Sequence, residues 1–466
     1  MPSRSAIAIV GGGISGLAAA YELTRLGVPF ALYDQAPRPG GVIHTDQTAG
    51  YTIDAGPDAL LTQKPAALAL CRALGLGARL QPQAERDTYV VRGGRLRRLP
   101  EGSVLGIPTR WLPFATTGAF SLRGKLRMAA DAAIPRRSAG GDESIASFIG
   151  RRFGREAVDY LAEPLLAGIH GGDPARLSMR AAFPRFLELE ARHGSVIRGL
   201  QRRSSPASDV AAGPPPPPFV ALPDGMRELV AALTDALPAD VLHCGVGVEA
   251  IERRPGGYDL RLADGTHTTA DAVLLATPPP VVARLAARCD AGLGALAARI
   301  HTASVVTVAL GFARRAVRHP LKGTGFVVPR REGLQVRAVS WVSSKWSGRA
   351  PADRVLLRAF LGGVLHPQAI DLDDDTLIDR VLADVGGLLH VTGAPELVRI
   401  YRWRDATPQL EVGHLDLMAA IERRLAANRG LFLSASGFRG TGIADCVADG
   451  RRQAAVAAAH VAQRAA

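Results

Sequence analysis

Ile7-Ala8-Ile9-Val10-Gly11-Gly12-Gly13-Ile14-Ser15-Gly16 is the stretch whose reading decides the fold. Four apolar residues of the kind that form a buried parallel strand run straight into a glycine turn. Leu17 to Leu26 then carries the apolar spacing of a helix, and a second apolar run from Pro29 to Tyr33 ends in Asp34. Strand, glycine turn, helix, strand and acid in that order make a dinucleotide-binding unit. Gly11 allows the tight turn, Gly13 lets backbone approach a pyrophosphate, and Gly16 lets helix and strand pack closely. Gly12 and Ser15 complete the loop. The helix N-terminus offers free N–H groups and a partial positive charge to phosphates. Asp34, eighteen residues after Gly16, is placed to accept hydrogen bonds from ribose hydroxyls.

Working outward, Arg38-Pro39-Gly40-Gly41 sets a second glycine pair behind the acid. This arrangement resembles the amine-oxidase-like flavoproteins, and the resemblance implies FAD rather than NAD.

A chain of 466 residues is too long for one ordinary core. Hydrophobic content of 47% with 21% charged residues describes a globular enzyme and excludes a disordered chain. The net charge of +13 is almost all arginine, because Lys64, Lys125, Lys322 and Lys345 are the only lysines. The basic pairs are scattered, and no nucleic-acid-binding signature accompanies them, so no nucleic-acid partner is expected. Two readings of the charge stay open: a solvated basic surface, or attraction to anionic lipid or a polycarboxylate substrate. Cys71, Cys244, Cys289 and Cys446 show neither metal-ligand nor redox spacing and fit reduced thiols in the cytoplasm, so no metal site is expected. Met1 to Ala6 is too short for a signal peptide, and no apolar run reaches the ~20 residues of a spanning helix.

Further along, Lys64 to Leu76 reads as a helix, and Thr88–Val91 with Arg95–Leu99 as a hairpin about Gly93-Gly94. From Gly102 to Gly199 the pattern predicts helices broken by proline and glycine, clearest over Arg123–Ala133 and Ile145–Leu166. Several carry arginine beside apolar residues, which fits either an interfacial face or a core helix with a wet side. Gln201 to Pro218, with five consecutive prolines, reads as an exposed spacer. Strands are expected at Val241–His243, Val246–Ile251, Tyr258–Leu262, Thr266–Thr269 and Asp271–Leu275, returning the chain to the nucleotide domain. Val305–Gly311, Gly325–Val328, Val336–Val342 and Val355–Leu361 predict a mainly antiparallel sheet, with a helix at Asp375–Leu389 over it. Leu431–Ser434 is a last strand, and Ala444–Arg464 a closing helix.

Several segments resemble one family, the oxygen-dependent protoporphyrinogen IX/coproporphyrinogen III oxidases of heme biosynthesis. They are Gly40-Gly41-Val42-Ile43-His44-Thr45, Gly56-Pro57-Asp58, Leu74-Gly75-Leu76, Glu163 to Ile169, Gly172-Asp173, Leu177-Ser178, Phe183-Pro184 and Gly194-Ser195. Pro408-Gln409, Val412-Gly413-His414 and Gly440-Thr441-Gly442-Ile443-Ala444-Asp445-Cys446 continue the match in the same order. The resemblance implies an α/β plus α+β architecture: a Rossmann-like, glutathione-reductase-type FAD domain, a mixed-sheet substrate domain and a helical subdomain. The FAD domain is expected at 1–80, 220–298 and 429–466, and a substrate-domain hairpin at 81–101. The helical, membrane-docking subdomain is expected at 102–200, the Pro-rich loop at 201–219 and the rest of the substrate domain at 299–428.

The resemblance also implies an activity: FAD- and dioxygen-dependent removal of six electrons and six protons from a porphyrinogen, giving a porphyrin and hydrogen peroxide. Product hand-off to a ferrochelatase and peripheral contact with the inner face of the cell membrane belong to the same picture. Gly11, Gly12, Gly13, Ser15 and Gly16 match the pyrophosphate loop, and Asp34 the ribose acid. Gly41, Gly56 and Pro57 match segments lining the flavin, Val248 an adenine-side position, and Gly442 and Ile443 the segment near the isoalloxazine. On the substrate side, Lys64 matches a lysine that pairs with a propionate, and Gly168 a glycine whose carbonyl faces the pyrroles. Thr324 and Val327 stand where animal and plant members have apolar ring-clamping residues. No general acid or base is singled out, because hydride transfer needs positioning rather than a strong proton donor. Six departures stand out. Thr88, with Arg86 beside it, stands where animal and plant members have a propionate-binding arginine. His170 replaces an aromatic residue, Gly171 an alanine, Ala435-Ser436 a glycine-led pair, Thr441 an apolar residue and Ala444 a proline. Two alternatives remain, an amine oxidase or carotenoid desaturase on the same scaffold, and a flavin- or porphyrin-binding protein without turnover. The Lys64 match favours coproporphyrinogen III over protoporphyrinogen IX.

Overall fold

The computed structural model describes residues 4–101, 103, 107–137, 140–204 and 217–465. Arg4–Val10 pairs in parallel with Phe30–Asp34 on one side and with His267–Leu275 on the other. Leu242–Cys244 extends this sheet past Phe30–Asp34, and Leu431–Leu433 joins it in parallel next to residues 273–275. Val248–Arg254 and Gly257–Leu262 complete it as an antiparallel ladder. Three separate stretches of chain therefore build one sheet. Alternation along the first strand decides the layers: Ile7 and Ile9 bury one way with Leu17, Leu23 and Val447, while Ala8 and Val10 bury the other way with Val273, Leu275 and Leu285.

Helices Ile14–Leu26 and Ile443–Ala465 lie side by side on the first of those faces. Their approach is close: a Cβ on Gly450 would stand 2.4 Å from the Ser15 carbonyl oxygen, so glycine is required there.

The second sheet runs in the order Leu397–Pro408, Thr302–Ala313, Arg354–Gly362, Ala338–Trp341, Gly325–Val327, Thr88–Arg92, Arg95–Arg98. Every pairing is antiparallel except that of Gly325–Val327 with Thr88–Arg92. One face packs Val306, Val308, Leu310, Leu357 and Ala359 against helix Asp374–Leu389. The other face looks toward the nucleotide sheet and the helical region.

That region spans helices from Trp111–Thr116 to Val196–Ser204 around Phe148, Phe153, Leu161, Met179 and Leu189. The single helix expected over Ile145–Leu166 is divided. Ile145–Phe153 stops at Gly154, whose φ of 91° no L side chain adopts easily, and a π-turn over Val158–Ala162 leads into Glu163–His170. The expected start of the proline-rich break at Gln201 is also corrected, since helix Val196–Ser204 carries Gln201 through Ser204. Residues 205–216 lie outside the described residues. At the far end of the break Phe219 opens a strand, Phe219–Ala221, pairing with Leu60–Leu61 and Gln81–Pro82. Among the described residues no helix is long and apolar enough to cross a membrane, and no His/Cys/Asp/Glu group is arranged to hold a metal.

Candidate cofactor and substrate site

The glycine turn works through backbone approach. Gly11 has φ 110°, and a Cβ there would meet the Ala276 carbonyl oxygen at 2.7 Å. A Cβ on Gly16 would sit 1.9 Å from the Gly11 carbonyl oxygen. Gly13 differs: nothing lies within 4 Å of its Cβ position, so its α-hydrogen faces open space. Gly13 also caps helix Ile14–Leu26 without a side-chain hydrogen bond, and no acid stands in the first turn. Gly40 donates its N–H to the Gly12 carbonyl at 2.8 Å, and a Cβ on Gly41 would come within 3.3 Å of the Gly13 Cα. A space walled by two glycine backbones at a helix N-terminus fits a pyrophosphate and would be filled by any side chain.

Asp34 stands at one end of this cradle. Its Oδ2 accepts from the Gly12 N–H at 2.5 Å and its Oδ1 from the Ala36 N–H at 2.7 Å. Two of the carboxylate's roughly four lone-pair sites are thus used, leaving the others for ribose hydroxyls. Val248 lies on the same side: the Val246 N–H donates to the Asp34 carbonyl at 2.9 Å, and Val248 is buried at the start of its strand.

From Gly13 the cradle continues away from Asp34 along Gly41 and Val42. A Cβ on Gly56 would lie 2.0 Å from the Val42 carbonyl oxygen, so Ala55-Gly56-Pro57 is pressed against that segment. The C-terminal segment returns to the same place. Gly442 donates its N–H to Asp445 Oδ2 at 3.2 Å, Ile443 packs on the nucleotide core, and the buried Cys446 thiol lies beside Ser15. Burial pushes that thiol up to about 11, so it is a neutral packing group at neutral pH.

The second sheet closes over Ala55–Asp58. Thr307 Oγ1 and Trp403 Nε1 donate to the Ala55 carbonyl at 3.1 and 3.0 Å. Arg358 Nη1 donates to the carbonyls of Asp54 and Gly56, the latter at 2.9 Å. Asp58 takes Lys345 Nζ at 3.0 Å, Trp346 Nε1 at 3.2 Å and Arg358 Nη2 at 3.5 Å. Burial alone would push the Asp58 carboxyl up; the Lys345 and Arg358 charges and the two hydrogen bonds outweigh it and hold Asp58 well below the usual range. Lys345, Arg358 and Trp403 were not found from the sequence. The available signal was Arg358 inside the otherwise apolar run 355–362.

Helix Glu163–His170 crosses the same face of the sheet farther along. A Cβ on Gly168 would stand 2.8 Å from Ala338 Cβ and 3.7 Å from Val327 Cγ1. Val327 is buried beneath this helix. Gly171 ends the helix at φ 56°, and a Cβ there would meet Val305 Cγ1 at 2.9 Å, which accounts for the glycine. Phe360 is opposite both Thr307 and Ala338 in register, so it lies between the helix and Ala55–Asp58. Thr324 does not present an apolar surface: its hydroxyl is 3.0 Å from that of Thr88 and 3.1 Å from the Asp87 carbonyl. Arg86 is exposed. Lys64, half exposed, gives its Nζ to both oxygens of Asp445 at 2.7 and 2.6 Å. It therefore stands at the Gly442–Asp445 corner, already paired.

A glycine-walled cradle at a helix N-terminus, with Asp34 at one end and a second sheet over the other, fits a dinucleotide. Residues 14–458 match the family model described as flavin containing amine oxidoreductase, and the chain belongs to that family; it is an FAD-dependent enzyme. It is 35% identical to coproporphyrinogen III oxidase of Bacillus subtilis (strain 168), over 96% of each chain. It is 29% identical to protoporphyrinogen oxidase 1, chloroplastic, of Spinacia oleracea, covering 94% of this chain and 81% of that one. The crystal structure of a putative protoporphyrinogen oxidase from Exiguobacterium sp. 255-15 superposes with a TM-score of 0.86 at 32% identity, covering 97% and 98% of the two chains.

Proposed function

We propose that the protein oxidises a porphyrinogen to a porphyrin in heme biosynthesis, with coproporphyrinogen III preferred to protoporphyrinogen IX. The observation that carries this reading is the 35% identity, over 96% of each chain, with a relative named coproporphyrinogen III oxidase. FAD, when bound, accepts hydride from the substrate, and dioxygen regenerates it as hydrogen peroxide forms. Removal of six electrons and six protons then consumes three dioxygen molecules. The chain's own part is positioning. Gly13, Gly41 and the helix N-terminus hold the pyrophosphate, and Asp34 the ribose. A flat macrocycle would lie beside Ala55–Pro57 on the sheet face that carries Phe360, next to helix Glu163–His170, which would help to screen it from water.

The test is aerobic incubation with each porphyrinogen, following porphyrin fluorescence against an enzyme-free blank. FAD-dependent acceleration is expected with both, and a higher kcat/KM with coproporphyrinogen III. No acceleration with either would overturn the reading and leave the amine oxidase or desaturase alternative. Lys64→Ala is expected to raise KM more than it lowers kcat, if Lys64 leaves Asp445 for a substrate carboxylate. Unchanged kinetics would leave Lys64 as the partner of Asp445 alone.

Peripheral membrane contact rests on a separate surface. Trp111, Leu112, Leu122 and Leu126 are exposed by 48%, 76%, 73% and 64%, with the exposed Arg110 and Arg123 beside them. Burial of a leucine contributes roughly 1.5–3 kcal/mol. Leu112→Ser with Leu122→Ser and Leu126→Ser is therefore expected to cut sedimentation with anionic vesicles by more than about tenfold. A wild-type protein that does not sediment with them removes membrane contact from the proposal.

A further inference from the structure

Three cations and two carboxylates are packed where the second sheet meets Ala55–Asp58. Arg349 and Arg358 are 1% and 5% exposed, and Lys345 is mostly covered. Arg349 pairs with Asp54 at 3.1 Å, while Asp58 serves both Lys345 and Arg358. Burial raises the Asp54 carboxyl against the pull of Arg349, Thr45 and Met226, so its negative charge is the less secure of the two. The cluster carries an excess positive charge in a place water reaches poorly. Its donors are also in excess: Arg349 Nε and Nη1 and Arg358 Nε are buried with no partner among the described residues. Uncompensated buried charge of one sign is costly unless the site's working state supplies the other.

Arg358 is the member joined to the cofactor cradle. Its Nη1 donates to the Gly56 and Asp54 carbonyls, and its guanidinium lies 4.8 Å from the centre of the Phe360 ring. The segment it holds, Ala55-Gly56-Pro57, continues the glycine cradle on the side away from Asp34, which is the side an extended FAD must send its isoalloxazine. Hydride transfer brings two electrons and one proton, so the reduced ring carries one more negative charge than the oxidised ring. A fixed cation beside it favours the reduced form.

We propose that Arg358, a positioning residue tethered by Asp58 and reinforced by Lys345, sets the electrostatic potential at the isoalloxazine end of the site and raises the reduction potential of the bound flavin. The inference rests on FAD occupying this cradle and not on the identity of the substrate. Phe360, on which Arg358 stacks, faces the substrate side, so one guanidinium fixes both the cofactor-lining segment and the floor beneath the macrocycle.

The test uses the FAD-loaded enzyme without any porphyrinogen. Sulfite adds to oxidised flavin as an anion, and its affinity reports the positive potential there through bleaching of the visible band. Arg358→Met is expected to weaken sulfite binding by at least about tenfold and to lower the midpoint potential. Arg358→Lys keeps sulfite affinity within about threefold of wild type, because the charge remains. Asp58→Asn is expected to move both quantities the opposite way, since it removes a negative charge. Should Arg358→Met fail to retain FAD, Lys345→Met takes its place with the same expected sign. A merely structural role would alter stability or FAD content without opposite-signed shifts. Potentials and sulfite affinities that stay at wild-type values, or that move in one direction for cation and carboxylate variants alike, overturn the proposal. A protein that shows the shifts yet oxidises no porphyrinogen would keep this inference and lose the substrate reading.

Discussion

Gly16→Ala is expected to give a protein that fails to hold FAD and is destabilised even without it, whereas Gly13→Ala loses only the cofactor. The two glycines are three residues apart in one turn, yet their surroundings are opposite. A Cβ on Gly16 falls 1.9 Å from the Gly11 carbonyl oxygen and 3.3 Å from Ala276 Cβ. Neither obstacle is a flexible side-chain tip. The turn is pinned by the Gly11 N–H bond to the Tyr33 carbonyl at 2.8 Å, so the helix must back away from the central strands. Overpacking of a core costs about 1–3 kcal/mol when side chains give way, and a backbone obstacle puts Gly16→Ala at or above that range. Around Gly13 nothing lies within 4 Å of the added methyl, which would project into the pyrophosphate space. Its effect is confined to binding, expected as a loss of about a hundredfold in FAD affinity. Urea unfolding of the two apoproteins and FAD titration by fluorescence quenching separate the cases. A Gly16→Ala apoprotein as stable as wild type would refute the steric account of this turn.

The same contrast explains what the sequence makes legible. The cradle can be read because its parts are local: Ile7 to Gly16, Asp34 and Gly40-Gly41 follow one another, and glycine is the one residue type that reports backbone approach. The α/β class, the FAD cofactor and the family follow from that stretch and from Gly440 to Cys446. Residues that meet only in three dimensions are not legible. Lys64 is recognisable as one of four lysines, but its partner Asp445 is 381 positions away and nothing in either segment announces the pair. Asp58 belongs to a motif, while Lys345 ends the short helix Val342–Lys345 and Arg358 lies inside strand Arg354–Gly362, and the two reach it together because Ala338–Trp341 and Arg354–Gly362 are neighbours in the sheet. Strand Leu397–Pro408 escaped notice for another reason. It is an edge strand carrying Arg399, Arg402 and Arg404, and its half-exposed residues lack the apolar alternation that marks a buried strand. Thr324 is a further case, since its hydroxyl turns to Thr88 and the Asp87 carbonyl, which are distant in sequence.

Arg152 is where polarity in the sequence misleads most, and its removal is expected to be the most damaging single change in the helical region. In Ile145–Phe153 it follows Arg151, and an arginine pair at a helix end suggests a wet surface. Arg152 is instead fully buried. Its Nε donates to Asp131 Oδ1 at 2.6 Å, and Nη2 donates to the carbonyls of Asp131 and Gly194, each at 2.8 Å. Its Nη1 donates to the Ile134 carbonyl at 2.9 Å and to Glu190 Oε1 at 3.3 Å. Asp131 Oδ2 in turn accepts from Ser195 Oγ at 2.6 Å and from the Ile197 N–H at 3.0 Å. One guanidinium thus ties the end of helix Pro184–His193 and the start of helix Val196–Ser204 to the chain at 131–135. Arg152→Met strands a buried carboxylate and the four carbonyls of Asp131, Ile134, Pro135 and Gly194, a loss of about 3–5 kcal/mol. Asp131→Leu leaves the cation only its longer contact with Glu190 at 3.3 Å and should also be destabilising. The double variant should recover part of the loss, because an apolar pair leaves no buried charge unpaired. Urea unfolding of the four proteins closes the cycle, and single variants within about 1 kcal/mol of wild type would refute it. The consequence for activity follows from shared packing. Ile149 and Phe153 lie in one core with Leu161 and Leu166, and Leu166 belongs to the helix that carries Gly168 over the sheet. The cradle for FAD lies outside that core. Arg152→Met is therefore expected to keep its FAD while the helix over the macrocycle loosens, raising KM for the porphyrinogen and speeding hydrogen exchange across residues 145–170.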